Sequence, residues 1–391
     1  MKHSPIGPSA AACWMNCPGS VNASKQYPHE SNIYAAQGTA AHQIAEICLN
    51  EGHDASFFKG EIINVDNMEF EVDQEMVVGV QMYLDVIRSD MESMAKERNG
   101  NSTVMSVEEQ VRLTKVHPDL WGTLDCLIVN IVSLKVYDLK YGRTVVEARG
   151  NPQTLCYAIG ALLGHDKKKT VEEIEMIIVQ PRVPQPVKRW MVTRGYLNEY
   201  AKTLRAAALA TESENAPRIP GEVQCQWCRH KPHCPELEQF ALDKAGLEFD
   251  SDGEVWHPDI DTLSDNRFTE ILRWSSFVTK YLKSVESEAL KRLQRGDTVQ
   301  GFKLVEKRPT RHWDFDQSIL DSLKELGLED DDLFNEQTLK SPAQIDKLLT
   351  QELREEAKTL QVSVSSGTKI VPEDDPAPAV GAGPVSDFAD D

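Results

Sequence analysis

Asp125, Asp138 and Lys140 lie inside a mostly apolar run, WGTLDCLIVNIVSLKVYDLKYGR at residues 121–143. Val, Ile, Leu and Tyr flank a turn-forming stretch from Asn130 to Ser133, which predicts a β-hairpin. Side chains two apart on a strand share a face, so Asp138 and Lys140 are neighbours. Folding about the turn also sets Asp125 nearly opposite Asp138, with Cβ atoms about 5 Å apart. Like charges that close repel unless a cation or a shared proton lies between them. One reading is a half-exposed Asp138–Lys140 ion pair with Asp125 capping a turn. The other is a divalent-metal site, in which the two carboxylates hold the ion and Lys140 orients a water or stabilises charge on a phosphate.

Other residues could complete such a site. Gly38, His42 and Glu46 recur at spacings of four and share one helix face. A histidine there is either structural or, if the face looks at the hairpin, a nitrogen ligand suited to Mn as well as Mg. Gln153 and Tyr157 form a further spacing-of-four pair on a helix opened by Asn151 and Pro152, an N-cap and first-turn proline. They read as core and edge residues or as groups reaching phosphate. Cys225, Cys228 and Cys234 have C-x2-C-x5-C spacing, which can grip one soft metal centre. The fourth ligand is Cys17, Cys13, His230 or His233, and the spacing fits a zinc knuckle or an iron–sulfur cluster. Cys48, Cys126 and Cys156 stand singly in apolar surroundings and read as core.

The elements that must position these groups follow from periodicity. Helices are predicted from Ala35 to about Leu49, over 74–98, near 151–163 and over about 196–212. Strands are predicted at VMSVEEQVRL, in the two arms of the hairpin, in EEIEMIIVQPR and at RWMVT. That order describes a compact α/β core. A long amphipathic helix is expected at 265–294, short helices near 316–326 and 342–359, and a second hairpin in GFKLVEKRPTRHWDF. In that hairpin Lys303, Lys307, Arg308, Arg311 and His312 surround Phe302 and Trp313. They offer cations for phosphates and rings for bases, or form a solvated hairpin that packs its aromatics on the long helix. The tail at 373–391, acidic and rich in Pro and Gly, is expected to be disordered.

The chain has 391 residues, 40% of them hydrophobic, and a formal charge of −20. The composition is globular, and the charge argues against generic coating of nucleic acid, though a metal ion and a local basic surface would still serve phosphates. No apolar stretch of membrane-spanning length and no signal-peptide core is present, so a cytoplasmic protein without membrane association is expected. Eight cysteines in such a chain point to metal rather than disulfides.

Taken together, Gly38-x3-His42-x3-Glu46, Gly122-Thr123-Leu124-Asp125, Asp138-Leu139-Lys140 and Gln153-x3-Tyr157 resemble the RecB-type branch of the PD-(D/E)XK nuclease superfamily. Cys17-Pro18 with the late C-x2-C-x5-C is similar to the iron–sulfur nuclease domain of AddB and of CRISPR-associated exonucleases, and the layout also resembles compact phage or prophage proteins. The resemblance covers roughly residues 9–236. It implies a restriction-endonuclease-like α/β fold, a mixed central sheet flanked by helices, in a nuclease domain at 1–240. A mostly helical accessory region with the basic hairpin follows at 250–360, and the acidic tail at 373–391. By resemblance His42, Asp125, Asp138 and the Leu139 carbonyl hold Mg or Mn, and Lys140 is the catalytic lysine. Gln153 and Tyr157 assist, and Cys17, Cys225, Cys228 and Cys234 hold a 4Fe–4S cluster, with zinc the alternative. The expected function is a metal-dependent DNase, an exonuclease or end-processing enzyme of phage or bacterial recombination and repair, working on DNA with a recombination protein or helicase as partner. The rival is a catalytically inactive nucleic-acid-binding or assembly module that keeps the fold and cluster. A cluster-bearing redox protein is weaker, because it leaves the charged hairpin unexplained.

Overall fold

A computed structural model describes residues 4–27, 32–96, 103–245, 248–249, 255–256, 264–307, 309–313, 318–335, 338–364, 367–373, 375 and 377–380. The chain divides into two compact units, Met1–Phe277 and Val278–Asp391.

In the first unit the principal elements are α1 (Ile33–Glu51), α2 (Gln74–Lys96), β1 (Val104–Arg112), β2 (Trp121–Val129), β3 (Ser133–Leu139), α3 (Pro152–His165), β4 (Glu173–Val179), β5 (Val187–Thr193) and α4 (Arg194–Ala210). The five strands form one sheet in the order β1-β2-β3-β4-β5. All neighbouring pairs are antiparallel except β3 and β4, which are parallel because α3 carries the chain back between them. The sheet is buried on both faces. Leu155 and Ile159 of α3 and Leu204 of α4 pack with Leu127, Val136 and Met176. Ala40 and Ile44 of α1 and Val80 and Leu84 of α2 pack with Ile128, Leu139 and Ile177 on the other side. Central β3 is accordingly buried almost throughout, as a strand covered on both faces must be. A small hairpin that periodicity did not suggest joins Ile62–Val65 to Met68–Glu71 through Asp66 and Asn67, both at positive φ, a backbone these two residue types tolerate.

The β1–β2 ladder carries an irregularity. Leu124 packs on the α3 side and Cys126 on the α1 side, although alternation would put both on one face. The register is unchanged across the break, running from Val107↔Cys126 to Glu109↔Leu124, and the skipped pair is Glu108 and Asp125. Glu108 has φ 49. Each strand therefore kinks at the same level, so that two successive residues of each look toward α1. An L-residue in this left-handed region costs about 1–2 kcal/mol. Bulged strands re-aim side chains in this way beside functional sites.

The second unit has a small apolar core of Ile319, Leu323, Leu333 and Ile345, carried mainly by short helices. The hairpin expected at 302–313 does not form. Phe302–Glu306 pairs antiparallel with Thr368–Pro372, and Thr310–Trp313 with Gln361–Val364. Alternation specified both strands but carried no information about partners, and the amide of Lys307 is spent on the Gly367 carbonyl at 2.7 Å rather than on a turn. Arg308 and the side chains of Arg311, His312 and Trp313 lie outside the described residues. At the start of the tail expected to be disordered, Val380 donates its amide to the Leu304 carbonyl at 2.8 Å, and the Lys303 ammonium bonds the Asp375 carbonyl at 2.9 Å. Residues 381–391 lie outside the description. No helix among the described residues is long and apolar enough to cross a membrane.

Helix α3 lies close on the sheet because Gly160 has no side chain. A Cβ there would sit 2.7 Å from Val111 Cβ and 3.1 Å from Leu113 Cδ1. Gly160→Ala is therefore expected to lower stability by about 1–3 kcal/mol, the cost of overpacking a filled core, despite alanine's better helix propensity. Urea unfolding checks this; an unchanged or raised midpoint would show that the helix has room to spare.

Candidate functional site

His42 stands midway along α1, whose first turn is capped by Asn32 Oδ1 accepting the amides of Tyr34 and Ala35 at 3.0 and 2.9 Å. Buried alanines at 36, 40, 41 and 45 let this helix approach the sheet, which brings the imidazole to the end of β3. Its Nε2 lies 2.9 Å from the Leu139 carbonyl oxygen and its Nδ1 3.5 Å from Asp125 Oδ2. Both neighbours are acceptors, and a neutral imidazole has one N–H to offer, so one contact sets a lone pair against an oxygen unless a proton or a cation intervenes. Asp125 Oδ2 also accepts the Leu139 amide at 2.7 Å, so the carboxylate takes over just past the last paired rung, Cys126↔Tyr137.

Glu108 completes the group. Ligand atoms of His42, Glu108 and Asp125 all lie within 4.8 Å of one another, the one such set of three His, Cys, Asp or Glu side chains found among the described residues. Burial first, and then the charge of Asp125, pushes the Glu108 carboxyl up to about 7, against a smaller opposing pull from His42. Glu46, one turn from His42, also acts on Glu108 as a like charge. One imidazole nitrogen, two carboxylates and a nearby backbone carbonyl make a mixed nitrogen and oxygen donor set of the kind Mn or Mg takes. The crowded carboxylates and the mismatched imidazole both fit a divalent cation.

Asp138, read from sequence with the metal ligands, is outside the set of three whose ligand atoms lie within 4.8 Å of one another. Its buried carboxylate is held by Lys140, whose Nζ lies 3.0 Å from Oδ1 and 2.8 Å from Oδ2. Oδ2 has no donor in hydrogen-bond alignment. Burial, opposed by Lys140 and aided by Asp125, raises the Asp138 carboxyl. Burial alone would lower Lys140, but Asp138 and Asp125 outweigh it and hold the ammonium above its ordinary value. The same ammonium donates to Gln153 Oε1 at 3.0 Å, and Gln153 Nε2 donates to the Tyr157 hydroxyl at 3.3 Å. Asn151 caps α3 through the amides of Gln153 and Thr154, fixing where Gln153 starts. The structure thus joins Asp138, Lys140, Gln153 and Tyr157 in one polar chain beside the His42 group. Glu108 went unnoticed because nothing in VEEQV separates it from an ordinary strand glutamate. Gln180, also unnoticed, is buried and pins the loop after Lys140, donating to the carbonyls of Gly142 and Thr144 and accepting the Val146 amide.

The cysteines gather at a second place. Cys17, Cys225, Cys228 and Cys234 line one cavity, with His230 and Arg218 at its wall. Cys17 Sγ accepts the Ile219 amide at 3.2 Å and Cys225 Sγ the Gly221 amide at 3.4 Å, so the cavity ties the start of the unit to its end. The influence of Cys13, more than any other, lowers the Cys228 thiol to about 6. Among the described residues no three cysteine sulfurs approach as closely as the His42 group.

Because Glu108 ionises only as pH approaches 7, a cation binding it must compete with its proton below that pH. Mn2+ affinity measured by calorimetry is expected to rise between pH 5.5 and 7.5 and then level, and Glu108→Gln should both weaken binding and flatten that rise. In the metal-free protein the sign reverses. The folded state holds this proton where the unfolded state has lost it, so the group's contribution falls as pH rises from about 4.5 to about 7. A wild type and a Glu108→Gln variant with parallel melting-temperature profiles would contradict the assignment.

The chain is similar to solved structures of low identity. It is 14% identical to SSO0001, covering 56% of this chain and 93% of that one at a TM-score of 0.22. It is 10% identical to an alkaline exonuclease, LHK-Exo, from Laribacter hongkongensis, covering 51% and 89% at a TM-score of 0.23. A second structure, LHK-Exo in complex with dAMP, matches at 11% identity over 51% and 89% with a TM-score of 0.24. Superpositions this loose carry no argument about fold or activity. A family match is far more extensive: the family described as "Protein of unknown function (DUF2800)" matches residues 3–378, through both compact units, and the chain belongs to that family.

Proposed function

We propose that the chain is a divalent-metal-dependent deoxyribonuclease that hydrolyses phosphodiester bonds, acting at DNA ends in recombination or repair. The observation that carries this reading is the adjacency of a His42–Glu108–Asp125 ligand set to a buried Asp138–Lys140 pair on the neighbouring strand. His42, Glu108 and Asp125, with the Leu139 carbonyl, would hold Mg or Mn, and Asp138 lies within electrostatic reach of Asp125. The ion, when bound, supplies Lewis-acid polarisation of the phosphate and lowers the pKa of water. The chain's own residues do the rest. Lys140, kept charged by Asp138, offsets negative charge growing on the phosphate, and a donor preorganised in a low-dielectric site acts more strongly than one in water. Gln153 holds the ammonium in direction, and Tyr157 holds Gln153.

In the same reading Cys17, Cys225, Cys228 and Cys234 hold a 4Fe–4S cluster. A single tetrahedral zinc would draw its sulfurs to about 3.8 Å from one another, given Zn–S bonds near 2.3 Å. What supports a shared metal centre is that all four thiols line one cavity. Amide donors on Cys17 and Cys225 are the kind of hydrogen bond that tunes cluster sulfurs.

Lys140→Gln keeps a donor beside Asp138 and removes the charge. It is expected to lower Mn-dependent cleavage of end-labelled DNA by about 100-fold or more while leaving the Mn2+ dissociation constant within a few-fold. Equal cleavage by the two proteins would sink the role given to Lys140. DNA binding without cleavage in both Mg and Mn would return the chain to a binding module. Protein prepared without oxygen should be brown and carry about four irons per chain. One zinc and no iron would favour a knuckle, and Cys225→Ser should cost thermal stability before it costs chemistry, because the cavity joins chain segments far from Lys140.

A further inference from the structure

Tyr83 of α2 is buried, 1% exposed, in the core between α1, α2 and the sheet. Its ring packs as a phenylalanine would, but its hydroxyl has no hydrogen-bond partner among the described residues. A phenol oxygen taken out of water and left unpaired costs about 1–3 kcal/mol, so packing alone gives no reason for it. Tyr137 in the same core shows the ordinary solution: its hydroxyl donates to Asp90 Oδ2 at 2.9 Å. The Tyr83 hydroxyl has different surroundings. After burial, the groups that act on it are Asp125, Cys126, Asp138 and Glu108, three of them the carboxylates of the candidate site. Tyr83 also shares its core cluster with Cys126 and Leu139, the chain neighbours of Asp125 and Asp138, so a donor without an acceptor lies in the same core as carboxylates that repel one another.

We propose that Tyr83 is a positioning residue of the metal site, its hydroxyl reserved for a hydrogen bond to the Asp125 carboxylate when a divalent cation is held by His42, Glu108 and Asp125. This rests on the metal reading given above. A bond from an outer hydroxyl orients a ligating carboxylate and fixes which oxygen faces the ion, and losing such a bond typically costs 10–100-fold in metal affinity. Tyr83 touches neither phosphate nor water in this assignment, so its effect appears in binding.

Tyr83→Phe removes one oxygen and no packing volume. In metal-free protein the variant is expected to melt at the wild-type temperature or above it, since an unpaired buried hydroxyl is gone. Its Mn2+ dissociation constant, by calorimetry, is expected to rise at least 10-fold, and the melting-temperature gain on adding Mn2+ to shrink accordingly. Tyr141→Phe is the control: that hydroxyl is also buried and unpartnered, but the charges around it are Arg182, Glu75, Asp73 and Arg143, and Mn2+ affinity should not change. A Tyr83→Phe dissociation constant within twofold of wild type overturns this inference alone, as does a lower metal-free melting temperature, which would mean that the hydroxyl already has a partner. A wild type that takes up no Mn2+ overturns the metal reading and this inference with it.

Discussion

The paired kink at Glu108 and Asp125 is the constraint on which the candidate site depends. In a regular ladder each strand would send alternate residues to α1 and α3, and Glu108 would share a face with neither Val107 nor Glu109. With the kink, Glu108 and Asp125 both turn toward α1 and meet His42, while the register on either side is preserved and the apolar residues still reach their own clusters. The left-handed backbone at Glu108 and the crowding of its carboxylate are two unfavourable features at one residue. A cation relieves the second and offers a reason for the first, in keeping with the way local strain concentrates at functional positions.

The rest of the first unit serves to deliver groups to this level of the sheet. The alanines of α1 set the depth of His42, and the parallel β3–β4 pairing forces the crossover that lays α3 over the end of β3. Gly160 sets how close that helix lies, and Asn151 sets where it starts, so the Asp138–Lys140 pair meets Gln153 rather than solvent. The two halves of the site stay distinct. On the α1 side two acids and an imidazole converge, and at the end of β3 the acid Asp138 is matched by the ammonium of Lys140. The first half has the donor composition of a cation site, and the second is a charge-balanced pair.

Much of this was legible in the sequence because local symmetry determines it. The turn at Asn130–Ser133 put Asp125 across from Asp138, and the ladder runs in that register to Cys126↔Tyr137 before the Asp125 side chain replaces the next rung. The spacing of four that joined Gln153 to Tyr157 is realised as a hydrogen bond. Glu108 was not legible, because a kink shared by two strands leaves no mark in the pattern of either. The pairing of Phe302–Glu306 with Thr368–Pro372 was hidden for a related reason: alternation states that a segment is a strand, and partner choice resides in contacts made far along the chain. Cysteine spacing located the lining of one cavity, whereas the approach of Cys17 to it depends on segments far apart in the chain.

The central claim is that His42, Glu108 and Asp125 form a divalent-cation site. A crystal of the protein soaked in Mn2+ and measured at a wavelength with manganese anomalous signal tests it most directly. One strong anomalous peak is expected within about 2.3 Å of an imidazole nitrogen of His42 and of carboxylate oxygens of Glu108 and Asp125, lengths typical of nitrogen and oxygen ligands. A peak held by other residues, or a fully soaked crystal with the three side chains ordered and no peak among them, would contradict it.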